Sequence, residues 1–211
     1  HAFSRSGIES FVFPPLVKTV ESCCFFAASQ LKTVDLRNVA VIETSAFLET
    51  QLSSVSIPGT VERIESHAFA KSTLQKVDFQ DSDAVLYIDS AVFAWTRLRN
   101  VVLPLRVQHT GSCTFLGCTE LEHLKINCNT SNSMCSQCEK LRVVVLPRTV
   151  EDIKYGAFEG CTSLSEINLD DTDLETIWGW AFKDCRSLRD VKLPEMLEMI
   201  HARAFQGSGV H

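Results

Sequence analysis

Nine cysteines and six histidines are the residues of this 211-residue chain best suited to metal or redox chemistry. Cys135 and Cys138 form a Cys-x-x-Cys pair, and the other such residues nearby in sequence are Cys113, Cys118, His123 and Cys128. A zinc ion would need four of these groups to converge tetrahedrally. The alternative is a structural role for every thiol, and the positions that the cysteines take in the rest of the chain favour it.

No other group of residues predicts catalysis. The histidines are scattered, and the chain has no nucleophile elbow, phosphate-binding loop or His-Glu-x-x-His motif. Two acidic turns, at 81–83 and 170–175, alternate carboxylates but lack the glycine and the full loop of a calcium motif, which favours solvated turns. We therefore predict no catalytic residue, no bound metal and no cofactor.

Composition narrows the classes of partner. The net charge is −6 and the pI is near 5.5, which argues against a nucleic-acid partner because phosphates require a basic face. No apolar run reaches the 18 or more residues of a membrane span, although 45% of the residues are hydrophobic. Any membrane attachment would therefore come from regions outside this chain.

Phenylalanine recurs along the whole chain at steps of 20 to 24 residues. The members of this column are Phe3, Phe25, Phe47, Phe69, Phe93, Phe115, Cys135 as the exception, Phe158, Phe182 and Phe205. A second column begins each of nine Leu-x-x-Val-x-Leu segments, whose alternation predicts a short strand with one buried face. Periods of this length with such a core are typical of leucine-rich repeats.

The full repeat reads L-x-x-I-x-L-P-x-x-V-x-x-I-x-x-x-A-F-x-x-C-x-x-L, and residues 142–164 are a nearly ideal copy. It resembles the BspA-like leucine-rich repeats over essentially all of the chain. The resemblance implies a leucine-rich-repeat solenoid of the α/β class, mostly β, with about nine repeats and one parallel sheet on the concave face. Because the chain starts and stops within a repeat, we expect residues 1–211 to be one solenoid from a longer protein, without terminal caps.

The outward residues of the predicted strands are where a partner would make contact. Most are short and polar, but an apolar group with two basic neighbours stands out: Val102, His123, Lys125, Val143 and Val145. An apolar spot with a polar rim is a reasonable contact site. The alternative is that valine is simply a favourable strand residue.

Two tryptophans, Trp178 and Trp180, flank Gly179 in the return segment of their repeat and are predicted to point outward. Exposed tryptophan is common in interfaces, so this is a second candidate patch. A contact with neighbouring parts of a longer chain would explain it equally well.

The repeat that contains Cys135 is irregular, because it is the shortest and is rich in Asn and Ser. It includes the sequon Asn129-Thr130-Ser131, which makes Asn129 a glycosylation candidate in a protein secreted by a eukaryote. A repeat that has drifted from the consensus is the alternative explanation. We expect residues 127–138 to form a loosened segment.

Four consecutive repeats carry a cysteine three residues after the Phe column: Cys118, Cys138, Cys161 and Cys185. The repeat places them in one buried column, where a free thiol behaves as a small apolar residue. We therefore expect reduced structural thiols.

These observations predict a non-enzymatic protein-binding module. The family resemblance implies a surface adhesin-like ectodomain, at the cell surface or extracellular, whose partner is a host, matrix or surface protein. The alternative is a structural spacer or an intracellular, cytoplasmic scaffold without a specific ligand on the sheet.

Overall fold

The computed structural model describes residues 1–210, which form a parallel-strand β-solenoid with no helix among them. Each sequence repeat forms one turn of the solenoid. The fold class predicted from the sequence is confirmed, and the return half of the repeat consists of a short second strand and tight turns. No helix in this described part of the chain is long and apolar enough to cross a membrane.

The Leu-x-x-Val-x-Leu segments form a first set of eight strands. They are β1 (Ser10–Val12), β3 (Thr33–Asp35), β5 (Ser54–Ile57), β7 (Lys76–Phe79), β9 (Asn100–Val102), β11 (His123–Lys125), β12 (Val143–Val145) and β14 (Glu166–Ile167). All pairs are parallel, and the ladder is divided into β1-β3, β5-β7 and β9-β11-β12-β14. The ninth such segment, residues 188–193, has no strand.

The return segments form a second set of parallel strands that the sequence did not predict. They are β2 (Thr19–Val20), β4 (Val41–Ile42), β6 (Arg63–Ile64), β8 (Leu86–Ile88), β10 (Val107–Thr110), β13 (Asp152–Ile153), β15 (Thr176–Ile177) and β16 (Met199–Ile200). The order is β2-β4-β6-β8-β10 and, separately, β13-β15-β16. The solenoid therefore has two strand faces, and the second is interrupted at the irregular repeat.

The first-set strands alternate between core and solvent as predicted. In β9, for example, Val101 is buried while Asn100 and Val102 on either side are exposed. Consecutive strands pair in register, so Leu124 of β11 lies between Val101 and Val144. Because equivalent residues stack, each buried column becomes a continuous apolar row through the core.

The Phe column is a stack of rings in the core. Neighbouring rings lie nearly parallel with centroids 5.1 to 5.8 Å apart, from Phe3 to Phe115 and again from Phe158 to Phe205. The break falls at Cys135. In that repeat Met134 occupies the position that is alanine in most others, and both side chains are fully buried. The larger Met offsets part of the volume lost at Cys135.

Tight turns on both sides of each Phe return the chain to the next repeat. The residues two before and two after the Phe position adopt left-handed φ angles, as at Ser45 (57°) and Glu49 (61°) around Phe47. The Phe47 N–H donates to the carbonyl oxygen of Ala68 in the next repeat, at 2.8 Å. These left-handed positions are mostly non-glycine, with fifteen such residues against four glycines, so backbone strain is repeated along the chain.

Candidate binding surfaces

The strand-face patch, defined as Val102, His123, Lys125, Val143 and Val145, is brought together by β9, β11 and β12. Lys125 is paired in register with Val102 on one side and Val145 on the other. His123 lies between Asn100 and Val143 in the next row. Val102 is 62% exposed and Val145 is 40% exposed, whereas Val143 is half-buried. The patch is thus two adjacent rows of side chains with Lys125 between two valines.

Polar side chains lie at the edge of this patch. The Nδ1 atom of His123 lies 2.8 Å from Oδ1 of Asn100, which orients the imidazole along its row when Nδ1 carries the proton. Glu166 of β14 pairs in register with Val143 and is exposed. The apolar centre therefore has an imidazole on one side and a carboxylate on the other, an arrangement suited to a protein surface with a polar rim.

Trp178 has both ring faces near side chains of the neighbouring repeats. Its ring stacks on that of His201 at 4.6 Å, and Nζ of Lys154 lies 5.5 Å from the ring centroid. Its indole N–H donates to Oδ1 of Asp152 at 2.7 Å. Burial raises the pKa of Asp152, but the hydrogen bonds from Lys154 and Trp178 lower it by more. The pKa of this carboxyl is therefore below its ordinary value.

Trp180, two residues further along the same repeat, makes similar contacts. Its ring lies 5.2 Å from that of Tyr155, and Nζ of Lys183 lies 4.7 Å from its centroid. Lys183 also pairs with Glu159 at 2.7 Å. The two tryptophans thus stabilise contacts between repeats and leave mainly their edges for a partner. Sequence reasoning missed Tyr155 and His201. The repeat frame would have identified His201, which lies 23 residues after Trp178, but it places Tyr155 opposite Gly179 rather than Trp180.

Asn129 is exposed, as a glycosylation candidate must be. Its Oδ1 atom accepts a 3.3 Å hydrogen bond from the N–H of Glu151. Ser131 is buried and donates to the carbonyl oxygen of Gly111 at 2.8 Å. The side chain of Thr130 donates to Asp152 O and accepts from Lys154 N, so side chains replace the strand ladder in this repeat.

The four-cysteine column is buried, and each of its thiols bonds to a carbonyl oxygen of the preceding repeat at 3.1 Å. Burial raises the pKa of Cys118 and of Cys185 to about 12. Cys135 and Cys138 take two core columns, and all nine cysteines are free. Within residues 1–210, no three His, Cys, Asp or Glu side chains are grouped to hold a metal ion.

A β-solenoid with a Phe stack and an L-x-x-V-x-L strand in nearly every turn defines a leucine-rich repeat protein. The chain belongs to the BspA type leucine-rich repeat family, because the family description "BspA type Leucine rich repeat region" matches six copies over residues 1–122 and 129–211. The unmatched residues 123–128 lead into the irregular repeat. No curated protein matches the chain.

Solved structures share the fold. A leucine-rich repeat protein from Bacteroides ovatus has a TM-score of 0.82 at 23% identity, covering 98% of this chain and 60% of its own. The pneumococcal vaccine antigen PcpA has a TM-score of 0.62 at 22% identity, covering 91% and 58%. A leucine-rich cell surface protein from Faecalibacterium prausnitzii has 0.52 at 23%, covering 86% and 59%. The chain thus spans about three fifths of the length of these proteins.

Proposed function

We propose that this chain is a non-enzymatic module that binds a protein partner through the strand-face patch, as part of a surface adhesin-like ectodomain. Leucine-rich repeats are protein-interaction modules, and solenoids bind along extended surfaces. The observation that carries the proposal is the in-register row Val102–Lys125–Val145, two exposed apolar side chains on either side of a cation. Burying such a row offers a partner hydrophobic and charge contacts together.

A surface location is part of this proposal. The solved structures of similar fold include a vaccine antigen and a leucine-rich cell surface protein, and these descriptions support a partner among host, matrix or surface proteins. We also propose that residues 1–211 form one section of a longer solenoid, in keeping with their coverage of about three fifths of the solved chains. Antibodies against this chain that label intact cells would support surface exposure, and labelling only after permeabilisation would contradict it.

Binding is tested with purified host matrix and cell-surface proteins passed over the immobilised chain. The double variant Val143→Lys/Val145→Lys should lose binding at least about tenfold, because two apolar contacts are replaced by charges. Val12→Lys is the matched control, because Val12 is exposed and has the same strand position as Val145 in β1, at the other end of the solenoid. Circular dichroism should be unchanged in all variants.

Two outcomes contradict the assignment. If Trp178→Ser/Trp180→Ser abolishes binding and the valine variants do not, the contact face is the aromatic patch. If no protein binds, the second candidate function gains support, a structural spacer or intracellular scaffold. One observation favours that alternative: away from the patch, outward strand residues such as Ser10, Thr33 and Ser54 are short and polar.

A further inference from the structure

Two open clefts lie beside turns that contain proline, and both are lined by the same kinds of residue: aspartate, proline and large apolar side chains. Cleft I, about 680 Å³, lies between the acidic turn after β7 and the turn after β9, and it is lined by Asp81, Asp83, Val102, Pro104 and Leu105 among others. Cleft II, about 800 Å³, lies four repeats further along and is lined by Asp170, Asp171, Asp173, Leu193, Pro194 and Met196 among others. In both, an acidic turn faces an apolar residue that follows the proline of the next repeat.

The apolar side chains of these clefts are unusually exposed. Leu105 is 84% exposed next to Val102, and Met196 is 59% exposed next to Leu193. The third such residue, Leu16 after Pro14 and Pro15, is also exposed, but no acidic turn precedes it in sequence. Large exposed apolar groups rimmed by polar residues are typical of contact sites.

Four of the five aspartates that line the two clefts have no ion-pair partner among the described residues. Within residues 1–210, no ion pair is formed by Asp81, Asp83, Asp170 or Asp171. Asp173 is paired at 3.7 Å with Arg148, which also lines cleft II but leaves Asp170 and Asp171 unpaired. The one arginine lining cleft I, Arg106, forms no ion pair with the aspartates of that cleft. The guanidinium of Arg106 is buried and donates to the carbonyl oxygens of Pro58 and Val61. A basic partner is therefore favoured electrostatically in both clefts.

Backbone contacts hold each cleft in shape before a partner arrives. Gly59 allows the acidic turn of cleft I to pack closely, because a Cβ atom at that position would lie 2.8 Å from the carbonyl oxygen of Asp81. In cleft II, the hydroxyl of Thr172 donates to Leu169 O at 2.6 Å and Asp173 N–H donates to Arg148 O at 2.7 Å. Preformed sites lose less entropy when they bind.

We propose that each cleft binds a protein segment in which an apolar side chain is flanked by Lys or Arg. The apolar side chain packs on Leu105 or Met196, and the cations pair with the aspartates. Four repeats at about 4.8 Å each separate the clefts by roughly 20 Å, so a partner with recurring segments of this kind would bind both at once and gain avidity. This inference rests on the proposed function for its protein partner, because cleft I shares Val102 with the strand-face patch.

The test uses short fluorescein-labelled peptides in which Leu alternates with Lys, with Leu/Glu and Ser/Lys peptides as probes of the same length. Fluorescence anisotropy should show binding of the Leu/Lys peptide alone. Asp81→Asn/Asp83→Asn and Leu105→Ser should each weaken binding about tenfold at cleft I, and Asp170→Asn/Asp171→Asn should do the same at cleft II. Glu62→Gln/Glu151→Gln is the matched control, because it removes two exposed carboxylates outside both clefts.

Three results would overturn the inference: equal binding of the Leu/Glu peptide, an equal loss in the Glu62/Glu151 control, or a titration in which calcium alone binds the chain and the Asp variants abolish it. The Val143→Lys/Val145→Lys variant separates this inference from the proposed function, because neither residue lines a cleft. It should bind the Leu/Lys peptide normally while losing the protein partner. If it loses the peptide as well, the peptide binds the strand-face patch and the clefts are wrongly assigned.

Discussion

The guanidinium of Arg106 donates a 2.8 Å hydrogen bond to the carbonyl oxygen of Val61, two repeats away. It reaches past the intervening repeat, which has 24 residues from Phe69 to Phe93 against 22 in the three steps before it. A second bond, 3.1 Å long, joins Arg106 to the carbonyl oxygen of Pro58. One buried cation therefore connects two repeats that are not neighbours along the chain.

Arg106→Ala should lower the free energy of unfolding by about 2–4 kcal/mol, measured by urea denaturation. The variant leaves the buried carbonyl oxygen of Val61 without a donor and creates a cavity, and each of these costs stability. The Pro58 oxygen still accepts from the N–H of Val61. Burial without a carboxylate partner lowers the pKa of Arg106 below its usual range.

Arg148→Ala is the control for this experiment, because the Arg148 side chain is largely exposed and should change stability by less than about 0.5 kcal/mol. Equal unfolding curves for the Arg106→Ala variant and the wild type would show that the contact between the repeats contributes nothing.

The four-cysteine column should resist thiol reagents in the folded protein. Its thiols are buried, and burial raises the pKa of Cys118, Cys161 and Cys185. After denaturation without reductant all four thiols should react. Protection that persists in denaturant until a reductant is added would instead reveal disulfides.

The same column predicts a loss of stability at high pH. The pKa of Cys118 and of Cys185 is about 12 in the folded chain, against 9.0 as the ordinary value. Above pH 9.0 the unfolded chain releases protons that the folded chain retains, so the free energy of unfolding falls as the pH rises from 9.0 toward 12. Urea denaturation of the Cys118→Ala/Cys185→Ala variant should show a smaller decrease over this range than the wild type.

Residues 127–138 should exchange amide hydrogens faster than those of any other interior repeat, and limited proteolysis should cut there first. The second strand set is interrupted in this repeat, and Thr130 replaces the Ile of the apolar column. The Thr110 hydroxyl beside it is buried without a hydrogen-bond partner, which costs further stability.

Residues 153–169 are the reference in the same exchange experiment. Equal protection in the two segments would mean that Met134 and the side-chain hydrogen bonds of Thr130 and Ser131 compensate for the missing ring and ladder.

Gln137→Gly should raise the free energy of unfolding by about 0.5–1 kcal/mol, because Gln137 is exposed and holds a left-handed φ of 60° that glycine adopts without strain. Thermal or urea unfolding measures the change. Gly160 takes the equivalent position in the next repeat with φ of 73°, so Gly160→Ala should change stability by a similar amount in the opposite direction. A Gln137→Gly variant less stable than the wild type would show that its side chain contributes more than the strain.

The sequence by itself determined the repeat, the core columns and the outward residues of the strands. Periodicity makes this possible, because one register places Val101, Leu124 and Val144 in equivalent buried positions and leaves Val102 and Val145 exposed. A solenoid residue mainly contacts its counterparts one repeat away, so the pattern of the chain already contains the nearest-neighbour contacts.

Only the tertiary structure decided the features in which consecutive repeats differ. The two-residue strands of the second set have no sequence signal of their own, since backbone pairing with the next turn makes them strands. The left-handed turns fall mostly on ordinary residues, so their positions are not marked by glycine. Two such features are the hydrogen bond from Arg106 to Val61 and the clefts at Leu105 and Met196. Both depend on how far individual turns project from the core of the solenoid. That distance is set by packing between repeats rather than by the pattern within any one of them.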